Sequence, residues 1–298
     1  MTHTASAATT EHRVTCNGIE LFYLDLPGEG PPVVLLHGLS SNAHAFSGLV
    51  SAGLSPAFRL IAPDLRGRAR SGKPETGYGM PEHAADVIAL LDHLGLERVV
   101  LAGHSFGGYL AIYIAATFPE RVEKLVVIDA AITSHPRIGL ALKPSLDRLT
   151  RVSPSAEAYL EEIKRAPYMD GVWDEDVERY FRAELSRNED GSVQATTSAS
   201  AVGQAAMGLA MEPWLHHVQH VRQPTLVLNA LGSYGPPGTL PLIDEISARA
   251  TARAFPDATY LLVPGNHISM VFGTAGAVVK QEIEHFIRTD INGRTSRG

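Results

Sequence analysis

The chain is 298 residues long and 45% hydrophobic, with a formal net charge of −7 and a pI near 6.0. That length buries a full core at the upper size of one domain, with room for an insert. An acidic balance without any run of Lys and Arg argues against nucleic acid or an anionic membrane surface as the main partner and leaves small molecules as the expected ones. Cys16 is the single cysteine, which excludes an internal disulfide. The sequence has no N-x-[ST] acceptor and no apolar segment near Met1, so a cytoplasmic location is the expectation. Nothing in the residues sets an oligomeric state.

In chain order, MTHTASAATT at the start has no periodic apolar pattern and predicts a mobile tail. Strands are predicted at Val14–Cys16, Leu21–Leu24, Val33–Leu36, Arg59–Ala62, Val99–Ala102, Leu125–Ile128, Thr225–Leu228 and Tyr260–Val263. The later ones are continuous apolar runs, as expected of strands covered by helices on both faces of a parallel sheet. Helical periodicity fills the gaps. Val87, Ile88, Leu91 and Leu94 share a face in Met80–Leu94, and Ala277–Ile287 repeats the pattern. The expected class is α/β.

From Ala131 to Trp214 no strand is predicted, while Ser155–Arg165 and Asp174–Leu185 read as helices, the second with Val177, Tyr180, Phe181 and Leu185 on one face. The division expected is 1–130 for the first part of a core, 131–214 for a helical cap and 215–298 for the rest of the core. Such an insert most simply lies over the carboxyl edge of the sheet, where ligands bind in this architecture. Its aromatic residues, Tyr159, Tyr168, Trp173, Tyr180, Phe181 and Trp214, are expected mostly to pack it onto the core. His104, Trp173, Trp214 and Tyr234 are the candidates for a substrate pocket.

The chemistry concentrates in RVVLAGHSFGGYLAIY, Arg98–Tyr113, where a strand runs into Gly103-His104-Ser105-Phe106-Gly107 and then into a helix. A serine at such a turn sits in strained backbone that flanking glycines make possible, and the helix that follows aims its N-terminus at the same spot. Ser105 is therefore a candidate nucleophile. In VVLLHGLSSN, Val33–Asn42, a strand ends in His37-Gly38 and leaves the N–H of Leu39 to face the site opposite that of Phe106. Together these two donors form a candidate oxyanion hole, with His37 holding the loop. His267, after the last strand in YLLVPGNHISM, lies where a general base for Ser105 would have to come from.

These elements resemble the α/β-hydrolase fold superfamily over nearly the whole chain: His37-Gly38, the block IAPDLRGRARSG at Ile61–Gly72, GHSFGG and the late Gly265-Asn266-His267 stand in family order. The resemblance implies a mostly parallel eight-stranded sheet with a helical cap after strand six. It also implies a serine hydrolase with nucleophile Ser105, base His267 and oxyanion donors Leu39 and Phe106. The family usually carries its triad acid in the loop after strand seven. Here that loop, Leu231–Pro241, contains no carboxylate. Asp244 falls in a predicted helix over Pro241–Arg253, and Asp257 in a turn expected at the far end of the sheet. Asp129 ends strand six, from which some members take their acid; the same position also serves as a cap hinge in others. Asp129 is the expected acid.

Two patterns are expected to be decoys. Gly67–Pro74 nearly spells a phosphate loop, but Pro74 stands where a hydroxyl would bind magnesium. His216, His217 and His220 lack the glutamate of a metalloprotease helix, and no metal or cofactor is expected. The expected activity is hydrolysis of a carboxylic ester or lactone of a moderately hydrophobic small molecule. The alternatives are His–Asp base catalysis without acylation, as in cofactor-free oxygenases or carbon–carbon bond hydrolases, and a ligand receptor on the same scaffold.

Overall fold

A computed structural model describes residues 9–133, Lys143 and 146–289. Six strands precede the insert: β1 (Thr10–Cys16), β2 (Ile19–Leu26), β3 (Gly30–Leu36), β4 (Phe58–Pro63), β5 (Val99–His104) and β6 (Val122–Ile128). Three short ones lie within it, β7 (Val152–Ser153), β8 (Leu185–Arg187) and β9 (Val193–Ala195), and β10 (Thr225–Ala230) and β11 (Ala258–Val263) follow it. The main sheet is 8-stranded in the order β1-β2-β4-β3-β5-β6-β10-β11. β2 pairs antiparallel with β1 and β4, and every other pairing is parallel.

The apolar runs explain this order. Val33, Val34, Leu35 and Leu36 are each 0% exposed, and alternate members enter the two different cores on either side of the sheet. Burying each such side chain contributes about 1.5–3 kcal/mol, and only a central strand offers that on both faces. One core is closed by helices α1 (Met80–His93) and α2 (Phe106–Thr117). The other is closed by the C-terminal helix Gly273–Arg288 and by residues of the insert, among them Tyr159, Val177 and Phe181.

The insert contains helices α3 (Ala156–Lys164), α4 (Glu175–Arg182) and α5 (Ala199–Met211), and α6 (Trp214–His220) leads back to the sheet. Ser155 caps α3 and Asp174 caps α4, each accepting a backbone N–H from three residues on. The insert is not purely helical, because β7, β9 and β8 form a small antiparallel sheet. Strands of two or three residues are too short to leave a periodic signal. Leu185 accordingly opens β8 instead of extending the face of α4. Residues 134–142, 144 and 145 of the predicted cap lie outside the described residues, as does most of the predicted tail. Thr10 of that tail already pairs with Asp25. No helix among the described residues is long and apolar enough to cross a membrane.

Candidate active site

Ser105 follows β5 directly and has φ 55° and ψ −120°, a conformation that side chains other than glycine rarely adopt. Its neighbours show why the turn needs glycine. A Cβ on Gly103 would lie 2.0 Å from the carbonyl oxygen of Gly107, and one on Gly107 would lie 1.9 Å from that of Leu36. Ser105 N–H donates to Ile128 O at 2.9 Å, so the turn is tied to the end of β6.

Asp129 occupies the corresponding place on the next strand. It follows β6, has φ 49°, and its N–H bonds Leu228 O on β10 at 2.8 Å. Backbone strain thus falls on two residues at the carboxyl edge of adjacent strands. The Asp129 carboxylate is fully buried and accepts three hydrogen bonds. His267 Nδ1 donates to Oδ2 at 2.6 Å; Asn229 Nδ2 and Ala230 N–H donate to Oδ1 at 2.8 and 3.1 Å. Asn229 is itself fixed, since Tyr260 donates its hydroxyl to Oδ1 at 3.0 Å. With Nδ1–H held by Asp129, the other nitrogen of His267 is left as an acceptor.

A second histidine touches this pair but is set up differently. His104 Nε2 donates to His267 O at 2.7 Å, and the two rings lie 4.6 Å apart. Burial, then the neighbouring His267, pushes its pKa down to about 3, so it stays neutral and orients the His267 backbone. His37 is similarly neutral, with its pKa lowered to about 3 mainly by burial. It accepts from Leu65 N–H at 2.9 Å and donates to Gly38 O at 2.8 Å, fastening the loop that presents Leu39.

These buried histidines carry a stability prediction. Their folded pKa values lie far below the ordinary 6.5, so the unfolded chain takes up protons first, and stability present above pH 6.5 is lost as pH falls toward 3. At pH 5 each costs about 2 kcal/mol. The thermal unfolding midpoint is expected to drop by about 6 °C between pH 7.5 and 5.0. Equal midpoints would contradict the neutral burial of His37 and His104.

Leu39 and Phe106 both border the cavity above Ser105, and Phe106 opens α2, where the first N–H groups have no partner within the helix. Arg68, which the sequence reading passed over, braces both residues from behind. It is fully buried; Nε donates to Leu39 O at 3.1 Å, Nη1 to Arg66 O at 2.6 Å and His83 Nε2 at 2.7 Å, and the guanidinium sits 5.1 Å from the Phe106 ring centre. Burial without a carboxylate partner lowers its pKa to about 9. The only sequence signal is a second arginine inside Arg66-Gly67-Arg68-Ala69-Arg70, which nothing marks as inward-facing.

A cavity of about 710 Å³ opens over Ser105 and His267, with a predominantly apolar wall. Of the four pocket candidates, His104, Trp214 and Tyr234 line it. Trp173 does not: it stacks on Phe181 at 6.1 Å with Lys164 above its ring, because α4 turns that aromatic edge into the insert's own packing. Tyr168, expected to be packing, does reach the wall and stacks on Tyr234 at 5.2 Å, while Tyr234 meets the His267 ring edge-on at 5.5 Å.

The acid-free loop has a packing reason. Gly232 N–H donates to Gly265 O at 2.9 Å, and a Cβ at 232 would lie 2.5 Å from that oxygen. The loop thus lies against the backbone just before His267, with no room there for a side chain. Asp244 instead caps the helix Glu245–Ala254, accepting from Ser247 N–H at 2.9 Å. Asp257 accepts Thr225 N–H through its carbonyl at the amino end of β10, away from His267. The two decoy patterns have local partners too. Lys73 Nζ is held by the Ala69 and Ser71 carbonyls, and His217 bonds Glu212 at 2.8 Å. Among the described residues no group of three or more His, Cys, Asp or Glu is placed to hold a metal.

Comparison with known proteins agrees with the architecture. The model of the alpha/beta hydrolase fold matches residues 31–274. The 2-(acetamidomethylene)succinate hydrolase of Mesorhizobium japonicum is 31% identical over 243 residues, 80% of this chain and 81% of that enzyme. The soluble epoxide hydrolase of Corynebacterium sp. is 39% identical over 124 residues, which span only 42% of this chain and 43% of that protein. A crystal structure of E-2-(acetamidomethylene)succinate hydrolase superposes with a TM-score of 0.82 at 26% identity, covering 94% of this chain and 99% of that one. Motif order, strand order and a match across most of the length agree, and the chain belongs to the alpha/beta hydrolase fold family.

Proposed function

We propose that the protein is a serine hydrolase that cleaves a carboxylic ester or lactone of a moderately hydrophobic small molecule through an acyl-enzyme on Ser105. The observation that carries this reading is the buried 2.6 Å bond between His267 Nδ1 and Asp129 Oδ2, beside a serine on a strained strand-to-helix turn. His267 takes the Ser105 hydroxyl proton as Oγ adds to the substrate carbonyl. The resulting oxyanion faces the N–H groups of Leu39 and Phe106. Collapse breaks the bond to the alcohol oxygen, which leaves with the proton from His267; in a lactone that alcohol stays tethered. Water then attacks the acyl-enzyme, again losing its proton to His267, and the carboxylic acid is released. Asp129 holds the reactive tautomer and stabilises the imidazolium. The sequence draws on no cofactor.

The similarity to 2-(acetamidomethylene)succinate hydrolase supports hydrolysis in general. The choice of ester or lactone rests on the apolar wall and on the nucleophile geometry. The test is hydrolysis of p-nitrophenyl esters of increasing chain length and of a lactone panel, run with wild type beside Ser105→Ala. Turnover by the first and not by the second is expected. Equal turnover by both would end this reading.

A further inference from the structure

Among the described residues that line the cavity, Arg148 is the one guanidinium or ammonium group, and it is not free. Its Nη1 contacts Glu184 Oε1 in a buried ion pair and donates to the Tyr159 hydroxyl at 2.9 Å, while Nη2 donates to Ser40 O at 3.2 Å. Tyr159 in turn donates to the same Glu184 oxygen. Glu184 is 0% exposed and does not reach the cavity, and its Oε2 has no hydrogen-bond partner, so among the described residues Arg148 is the cation its charge meets. Burial works against the Arg148 charge, but Glu184, and after it Tyr159, more than offsets this and holds the guanidinium well above its ordinary range. Glu212, the acidic residue on the wall among the described residues, bonds His217. The wall therefore presents an arginine whose charge is already cancelled from behind.

We infer that Glu184 sets the charge preference of the cavity: by neutralising Arg148 it makes the site one for uncharged acyl groups and turns carboxylate-bearing molecules away. A carboxylate entering this apolar space would lose its hydration and meet no uncompensated cation in return. An uncharged chain loses little on entering and covers apolar wall. Glu184, 36 residues from Arg148 in the chain, is thus a specificity-determining residue that acts through Arg148.

The inference rests on the reading that this cavity is the substrate site, so its test is binding, which does not depend on acylation. In the Ser105→Ala protein, calorimetry with 4-phenylbutanoate and with its methyl ester is expected to show the carboxylate at least tenfold weaker. Adding Glu184→Gln frees the Arg148 charge, and that gap is expected to shrink at least tenfold through tighter carboxylate binding. If the Gln variant does not fold, removing both partners in Arg148→Met/Glu184→Gln is expected to leave the gap as wide as before, because the pair carries no net charge. A carboxylate that binds as tightly as the ester while Glu184 is present overturns the inference. So does an unchanged gap in folded Glu184→Gln, or a carboxylate affinity that falls when both partners are removed in Arg148→Met/Glu184→Gln. Failure of the acyl-enzyme reading would show separately, as ester turnover that persists in Ser105→Ala.

Discussion

Ser105→Ala is expected to lower ester turnover by about 10⁴-fold or more while the protein stays folded, since loss of the nucleophile leaves only oxyanion and binding contributions. The fold should tolerate the change because the Ser105 side chain caps nothing: α2 begins without a side-chain hydrogen bond from it. The anchoring of the turn is backbone, through Ser105 N–H to Ile128 O and Ser105 O to the N–H groups of Gly108 and Tyr109. Alanine inherits the φ of 55° with no larger a Cβ than serine already has. The unfolding midpoint of the variant should therefore stay within a few degrees of wild type. Activity within tenfold of wild type in a pure preparation would exclude Ser105 as nucleophile.

Asp129→Asn is expected to reduce kcat/KM by about 10³ to 10⁴. The hydrogen bonds at this carboxylate give the reason. Oδ1 accepts from Asn229 Nδ2 and Ala230 N–H, so an asparagine would keep its oxygen there and turn its NH₂ toward His267. Nδ1 of His267 would then have to accept, the proton would move to the other nitrogen, and the imidazole would keep no free acceptor for the Ser105 proton. Asp244→Asn should change the rate little, because asparagine caps a helix as well as aspartate does. Asp257→Asn, at the amino end of β10, should also do little. Because Asp129 also ties β6 to β10, unfolding midpoints measured beside the rates separate lost chemistry from lost fold. A near-normal rate in Asp129→Asn would exclude it as the orienting acid.

The sheet was legible in the sequence because its inner strands are uninterrupted apolar runs, such as Val33–Leu36, buried on both faces. The candidate site was legible where chemistry sits at strand ends: Ser105 after β5, Asp129 after β6 and His267 after β11 need only the rule that parallel strands share a carboxyl edge. What escaped depends on contacts between residues distant in sequence. Glu184 reaches Arg148 through an insert whose strands of two or three residues have no period, and Arg68 looks like any charged loop residue until its burial is known. Trp173 and Tyr168 traded roles for the same reason, since an aromatic residue carries no mark of which wall it will face. The loop at Gly232 showed in the sequence only as a missing acid, whereas its packing on Gly265 is a backbone contact that no side-chain pattern encodes.

The central claim, a covalent acyl-enzyme on Ser105, is tested most directly by mass spectrometry of the protein after treatment with a fluorophosphonate. The account predicts one adduct per chain, located on the peptide that contains Gly103-His104-Ser105-Phe106-Gly107 and absent from Ser105→Ala. A protein that hydrolyses esters yet takes up no label, or takes it up on another residue, would contradict it.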